Sequence, residues 1–155
     1  MSPRLSELLK RDFAVDPEIT GVTADSRKVR PGFLFAALPG SKVDGAEFAA
    51  KAAQSGAAAV IASRAVDLPV PTIATPDPRR AYALVAAAFW GDQPATVVAV
   101  TGTNGKTSVA TFCRQIFASL GHKAASMGTL GVTAGDEQLT PPGLTTPDAL
   151  GEVEQ

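Results

Sequence analysis

Two periods alternate along this sequence. Where apolar residues recur every three or four positions a helix is predicted, and a short apolar run between turn residues predicts a strand. Leu5, Leu8 and Leu9 form a first helical stripe, and residues 19–23 read as a strand. Pro31-Gly32 marks a turn before the apolar run 33–38, read as a buried strand. After the loop Gly40 to Gly45, Phe48, Ala49, Ala52, Ala53 and Gly56 share one helix face, and residues 58–62 and 71–75 read as two more strands. Asp77-Pro78 then opens a helix. Asp77 caps its first amides, and Pro78 suits the first helical position, where no N–H is needed. Its predicted buried face is Tyr82, Val85, Ala86 and Phe89, and it ends at Trp90-Gly91. The hinge-like stretch Gly91-Asp92-Gln93-Pro94 places a domain boundary between 1–92 and 93–155.

The second segment opens on a β-branched run, 96–100, the pattern of a strand covered on both faces in a parallel sheet. A polar glycine loop follows, then a helix over 106–120. Its residues Val109, Phe112, Cys113, Ile116, Phe117 and Leu120 form one stripe expected to be buried, and Gly121 stands at the helix end. Residues 123–127 read as a strand and 128–144 as loop. Thr146-Pro147 starts a last helix with Thr146 as its cap. The expected fold class is therefore α/β: a complete first domain, then only the opening βαβ unit of a phosphate-binding parallel-sheet domain. Such a sheet needs more strands and helices on both faces, so the chain reads as a fragment or a truncated product. Its incompletely covered stripe predicts self-association.

Composition narrows the classes. Lys and Arg number 14 against 15 Asp and Glu, which argues against a basic nucleic-acid module and against an acidic tail. One cysteine leaves no disulfide framework and suits a reducing compartment. No apolar run approaches the roughly 18 residues of a membrane helix, and the first residues lack a signal-peptide core. A cytoplasmic protein with no nucleic-acid or membrane partner is expected.

The strongest chemical signal is the loop Gly102, Thr103, Asn104, Gly105, Lys106, Thr107 and Ser108, set between the predicted strand and helix. Glycines let the backbone wrap an anion, and amides at a helix start point at phosphate oxygens, favoured by the helix dipole. Lys106 brings a positive charge to the β/γ-phosphates and is the candidate catalytic residue, while Thr107 offers a hydroxyl to Mg²⁺. ATP and Mg²⁺ are the implied cofactors. The longer Walker spacing would need glycine at 100, where Val100 stands, and this disfavours a generic P-loop kinase.

This loop, TGTNGKT after VVAV, resembles that of the Mur ligase family, the ATP-dependent amide-forming ligases of cell-wall precursor synthesis; folylpolyglutamate synthetases carry a similar loop. The segment 21–62 resembles the uridine-nucleotide-binding N-terminal domain of the family, and MGTLGV followed by LTTPDAL resembles its third-residue branch. The resemblance covers nearly the whole chain and corresponds to roughly the first third of such an enzyme. It implies an ATP-dependent ligase that joins a diamino acid, meso-diaminopimelate by expectation, to UDP-N-acetylmuramoyl-L-alanyl-D-glutamate through an acyl phosphate, as a monomer in full length. It also implies substrate contacts at Ala24 and Ser26, at Ser41, Lys42 and Val43 beside the uracil, and at Thr145 and Thr146 on the muramoyl dipeptide. The family has asparagine before that last pair, where this chain has Leu144.

Plainer roles stand beside these. Asp25-Ser26-Arg27 also reads as an Asx turn with a surface ion pair, 41–43 as an exposed loop, and Thr146 as a helix cap. Cys113 and Trp90 read as packing residues, and His122 as a surface residue beside a helix dipole. Two rival functions share the motifs: the sister ligase that adds D-alanyl-D-alanine, and a non-catalytic nucleotide-binding module. In the family, the metal-facing carboxylate, the carbamylated lysine and the acceptor-binding Arg motif come from beyond the position of Gln155. The 155-residue chain is therefore expected to bind its ligands without turning them over.

Overall fold

The computed structural model describes residues 2–39 and 48–140. The chain divides into two compact units, Met1–Gln93 and Pro94–Gln155. The first contains α1 (Leu5–Leu9), β1 (Gly21–Thr23), β2 (Phe33–Ala37), α2 (Ala49–Gln54), β3 (Ala59–Ala62), β4 (Thr72–Ala74) and α3 (Pro78–Trp90). Its sheet runs β1-β2-β3-β4 with every pair parallel. Parallel strands need covering on both faces, which explains why β3 is buried at all four positions and reads as unbroken apolar sequence.

Register sorts the side chains between two layers. Val22 pairs with Leu34, Leu34 with Ala59, and Ile61 with Ile73, so these share one face. Phe35, Ala37, Val60 and Ala62 point to the other, where Ala49 and Ala52 of α2 close over them. Small alanines on α2 and on the strands let helix and sheet approach closely. α3 lies against β1, β2 and β3 and also touches α1. It buries Tyr82, Val85 and Ala86, while Phe89 is only half-buried, packed edge-on against the exposed Trp90. The predicted cap is present: Asp77 Oδ1 accepts from the Arg80 amide at 3.0 Å. α2 is shorter than its pattern implied. It begins at Ala49, and Phe48 stays on its exposed flank. The N-terminal turn is fastened by Asp16, whose carboxylate accepts from the Ser6 amide and hydroxyl at 2.8 and 2.9 Å.

The second unit differs from expectation in three respects. Residues 96–100 form no strand, and Val97 and Val98 are exposed. A central parallel strand takes its hydrogen bonds from neighbours, and none pairs with it among the described residues. The loop expected over 128–144 contains a hairpin. β5 (Ala125–Gly128), β6 (Gly131–Ala134) and β7 (Glu137–Gln138) form an antiparallel sheet in that order. Its two-residue turns, Thr129-Leu130 and Gly135-Asp136, are flanked or opened by glycine, a signal that a reading weighted toward longer runs passes over. Thus the helix and second strand of the expected βαβ unit form, but that strand pairs with a hairpin partner.

The third difference concerns α4 (Lys106–Ser119), which has no buried residue. Val109, Phe112, Ile116 and Leu120 are exposed and Cys113 and Phe117 half-buried, since only β5 packs on this helix within the sheet. The helix end forms as the sequence predicted. Gly121 adopts φ +85°, its amide bonds the Ala118 carbonyl, and the His122 amide bonds Phe117 at 3.0 Å with the two rings in contact. This is a Schellman closure, which needs the left-handed conformation glycine adopts without a Cβ penalty.

Two outcomes follow for stability. Ile61→Ala in the doubly covered strand is expected to cost about 2–5 kcal/mol in denaturant unfolding. Phe112→Glu on the uncovered helix face should cost about 0.5 kcal/mol or less and reduce self-association in sedimentation velocity; unchanged association would remove that face from the contact.

Candidate functional site

The loop before α4 begins with its backbone. Gly105 is the residue preceding the helix and adopts φ +75°, left-handed, which turns the chain into the first helical turn. The amides of Thr103 through Ser108 donate to no protein acceptor among the described residues; the first to do so is Val109, to the Gly105 carbonyl at 2.9 Å. A helix start always leaves such donors, and here a polar, exposed loop extends the row beyond the helix itself. Lys106 Nζ reaches back to donate to the Gly102 carbonyl at 2.6 Å. The ammonium is thus bonded to the loop's own backbone at an exposed position, and a positive charge in such a loop favours an anion there. The Thr107 hydroxyl lies 3.4 Å from that of Thr129 in the β5–β6 turn. Gly102, Thr103, Asn104, Gly105, Lys106, Thr107 and Ser108 are thus one contiguous loop-and-helix-start, as their sequence order requires.

This donor set fits the phosphates of a nucleotide: neutral N–H groups, one fixed cation, and no carboxylate to repel an anion within the loop. For Mg²⁺ the loop supplies one hydroxyl. No cluster of three or more His, Cys, Asp or Glu able to hold a metal exists among the described residues. A single protein ligand suits Mg²⁺, which keeps several waters and takes phosphate oxygens.

The first unit gathers its candidates differently. In a parallel sheet all carboxyl ends of the strands face one edge, where ligands of α/β proteins bind. Ala24 and Ser26 follow β1 at that edge, and Pro39 follows β2 there. Arg79, in the first turn of α3, donates from Nη2 to the Pro39 carbonyl at 2.7 Å and so ties the exit of β2 to the helix after β4. Sequence patterning carries no signal for this long-range bond. Ser41, Lys42, Val43, Thr145 and Thr146 lie outside the described residues.

Asp25-Ser26-Arg27 has the geometry of an Asx turn. Asp25 Oδ1 accepts from the Arg27 amide at 2.9 Å, and its carboxylate is gripped by Arg27 Nε and Nη2, the latter at 2.7 Å. The turn closes with the Lys28 amide on the Asp25 carbonyl. The half-buried Ser26 hydroxyl makes no hydrogen bond among the described residues, so it is held in place by a turn that does not consume it. The Arg27 side-chain bonds, with its amide, hold the Asp25 carboxyl at about 2. A depressed carboxyl pKa stabilises the turn fully above the ordinary value of 3.8, and the contribution is lost as pH falls through about 2. An NMR titration of the Asp25 carboxyl carbon should show a midpoint near 2, moving toward 3.8 in Arg27→Ala; a midpoint unmoved by that substitution would show that the ion pair does not hold the turn.

Comparison with known proteins bears on both units. Residues 18–119 match the model for the Mur ligase family, catalytic domain, and residues 100–154 the Mur ligase middle domain. A UDP-N-acetylmuramoyl-L-alanyl-D-glutamate–2,6-diaminopimelate ligase of Caulobacter vibrioides is 66% identical, covering 99% of this chain and 33% of its own length. The protein of the same name from Bradyrhizobium diazoefficiens is 51% identical, covering 95% and 31%. A solved structure of a ligase of that name superposes with a TM-score of 0.79 at 26% identity over 96% of this chain and 32% of the other. The MurF ligase of Thermotoga maritima in complex with ADP gives 0.53 at 30% identity, over 63% and 23%. The chain spans about a third of the length of the curated relatives it matches. With a family match across more than half of its residues, confirmed by relatives aligned nearly end to end along it, this chain belongs to the Mur ligase family.

Proposed function

We propose that this chain supplies the uridine-nucleotide-binding and ATP-gripping parts of a ligase that adds meso-diaminopimelate to UDP-N-acetylmuramoyl-L-alanyl-D-glutamate. The observation that carries the proposal is the row of amides from Thr103 to Ser108 without partners among the described residues, beside the Lys106–Gly102 contact, in a chain 66% identical to a ligase of that name. The reaction is an acyl activation. The D-glutamate carboxylate attacks the γ-phosphorus of ATP, ADP leaves, and the diamino acid's amine displaces phosphate from the acyl phosphate to form an amide.

Phosphoryl transfer depends chiefly on positioning and on neutralising charge. The amides of the loop fix the phosphate chain, and the α4 dipole favours the charge that it carries. Lys106 leaves the Gly102 carbonyl for the β/γ-phosphates, exchanging a neutral acceptor for an anionic one, the stronger charge-assisted bond. Mg²⁺ would supply further neutralisation of the phosphate charge. Thr107 is the residue here that would hold it. Ser26 and the backbone of Ala24 contact the uridine diphosphate moiety, Ser41 to Val43 line the uracil, and Thr145 and Thr146 hold the dipeptide. Such nucleotide substrates place the enzyme in the cytoplasm.

Calorimetric titration of the chain tests the scheme. Wild type should bind ADP with Mg²⁺ and bind the uridine substrate independently. Lys106→Ala should weaken ADP by at least tenfold, about 1.4 kcal/mol, and leave the uridine ligand unchanged. Equal ADP affinity in both proteins would remove the loop from the nucleotide site. The 155-residue chain should form no amide when given both substrates and ATP, and detectable product would overturn that division of labour.

A further inference from the structure

Thr129 has no part in the scheme above, yet it is the residue that the hairpin brings to the phosphate loop. It is the first residue of the two-residue turn between the paired Gly128 and Gly131, and its hydroxyl oxygen stands 3.4 Å from that of Thr107. That is longer than an ordinary O–H···O hydrogen bond, and contacts of this kind tighten when a site is filled.

The turn is held from several directions. Gln138 Nε2 donates to the Leu130 carbonyl at 3.0 Å, and the Val132 amide donates to the buried Thr140 hydroxyl at 2.8 Å. One helical turn and more beyond Thr107, Arg114 Nη1 bonds the Gly135 carbonyl in the next turn of the sheet. From 107 to 114 the helix rises about 10 Å, and β6 covers a similar distance between the two turns. Besides β5, two turns of the sheet therefore reach α4, and Thr129 is the turn contact nearer the loop.

Hydroxyl chemistry gives this contact a purpose. A hydroxyl has one proton and two lone pairs. If Thr107 is to give a lone pair to a cation, its proton must point away from that cation and find an acceptor. Among the described residues, the acceptor the structure offers is Thr129 Oγ1. We propose that Thr129 is a positioning residue for the nucleotide-bound Mg²⁺, taking the Thr107 proton so that a Thr107 lone pair faces the metal. The proposal rests on the nucleotide reading of the loop. It resembles the way outer groups orient metal ligands elsewhere, whose loss costs about 10–100-fold in metal affinity.

The test measures ADP affinity by calorimetry with and without Mg²⁺, alongside thermal unfolding by circular dichroism. Wild type should bind ADP more tightly with Mg²⁺ than without it. Thr129→Val, which keeps the shape and removes the acceptor, should lose about tenfold of that Mg²⁺-dependent gain and keep the Mg²⁺-free affinity. Thr129→Ser should restore the gain. Should Thr129→Val lower the unfolding temperature, Thr129→Ala carries the same comparison with Ser. A full Mg²⁺ gain in Val or Ala, or a Ser variant as poor as Val, overturns the role of Thr129 while leaving the loop as a nucleotide site. Wild type that binds no ADP overturns the nucleotide reading and this inference with it.

Discussion

Backbone N–H groups must find acceptors, and the functional half of this structure follows from a place where they do not. Between Thr103 and Ser108 the chain turns into α4 through a left-handed glycine and leaves a row of amides without protein partners among the described residues. Water can satisfy them, but an anion does so with charge in its favour. Lys106 turns back on the same loop and donates to the Gly102 carbonyl at an exposed position. In the proposed reading the main chain supplies the donors of the loop, and Lys106 and Thr107 add a charge and a hydroxyl to them.

The first unit solves a different problem by topology. Parallel pairing delivers every strand's exit to one edge, so segments far apart in sequence leave the sheet side by side. Alanine packing on one face and the α3 layer on the other cover the sheet behind that edge. An Asx turn after β1 then presents Ser26 with its hydroxyl unspent, and Arg79 fastens the exit of β2. The layers carry the buried core, and the exits carry the candidate contacts.

What the sequence revealed, and what it hid, divides along the range of the forces involved. Local signals were legible: the Asp77-Pro78 start of α3, the Gly121 closure of α4, the short β-runs of the first sheet and the phosphate loop all rest on residues within a few positions of one another. The run 96–100 misled because its β-branched pattern reports a capacity for burial, and pairing also requires a neighbour. The α4 stripe misled for the same reason, since periodicity identifies the face to be covered and not whether a cover is present. The hairpin after β5 was hidden in two short glycine-marked turns. With it went Thr129, whose approach to Thr107 spans 22 positions and has no periodic signature. For the candidate site, the loop's place before α4 was legible from its own residues, whereas the bond from Arg79 to Pro39 spans 40 positions and only the fold brings it about.

The central claim is that main-chain amides of one short loop grip the phosphates of a nucleotide. Amide-resolved NMR of the ¹⁵N-labelled chain during titration with ADP and Mg²⁺ tests it most directly. The account predicts the largest shifts at Gly102 to Ser108, as those N–H groups gain an anionic acceptor. Shifts absent from that stretch, or centred on another surface while ADP binds, would contradict it.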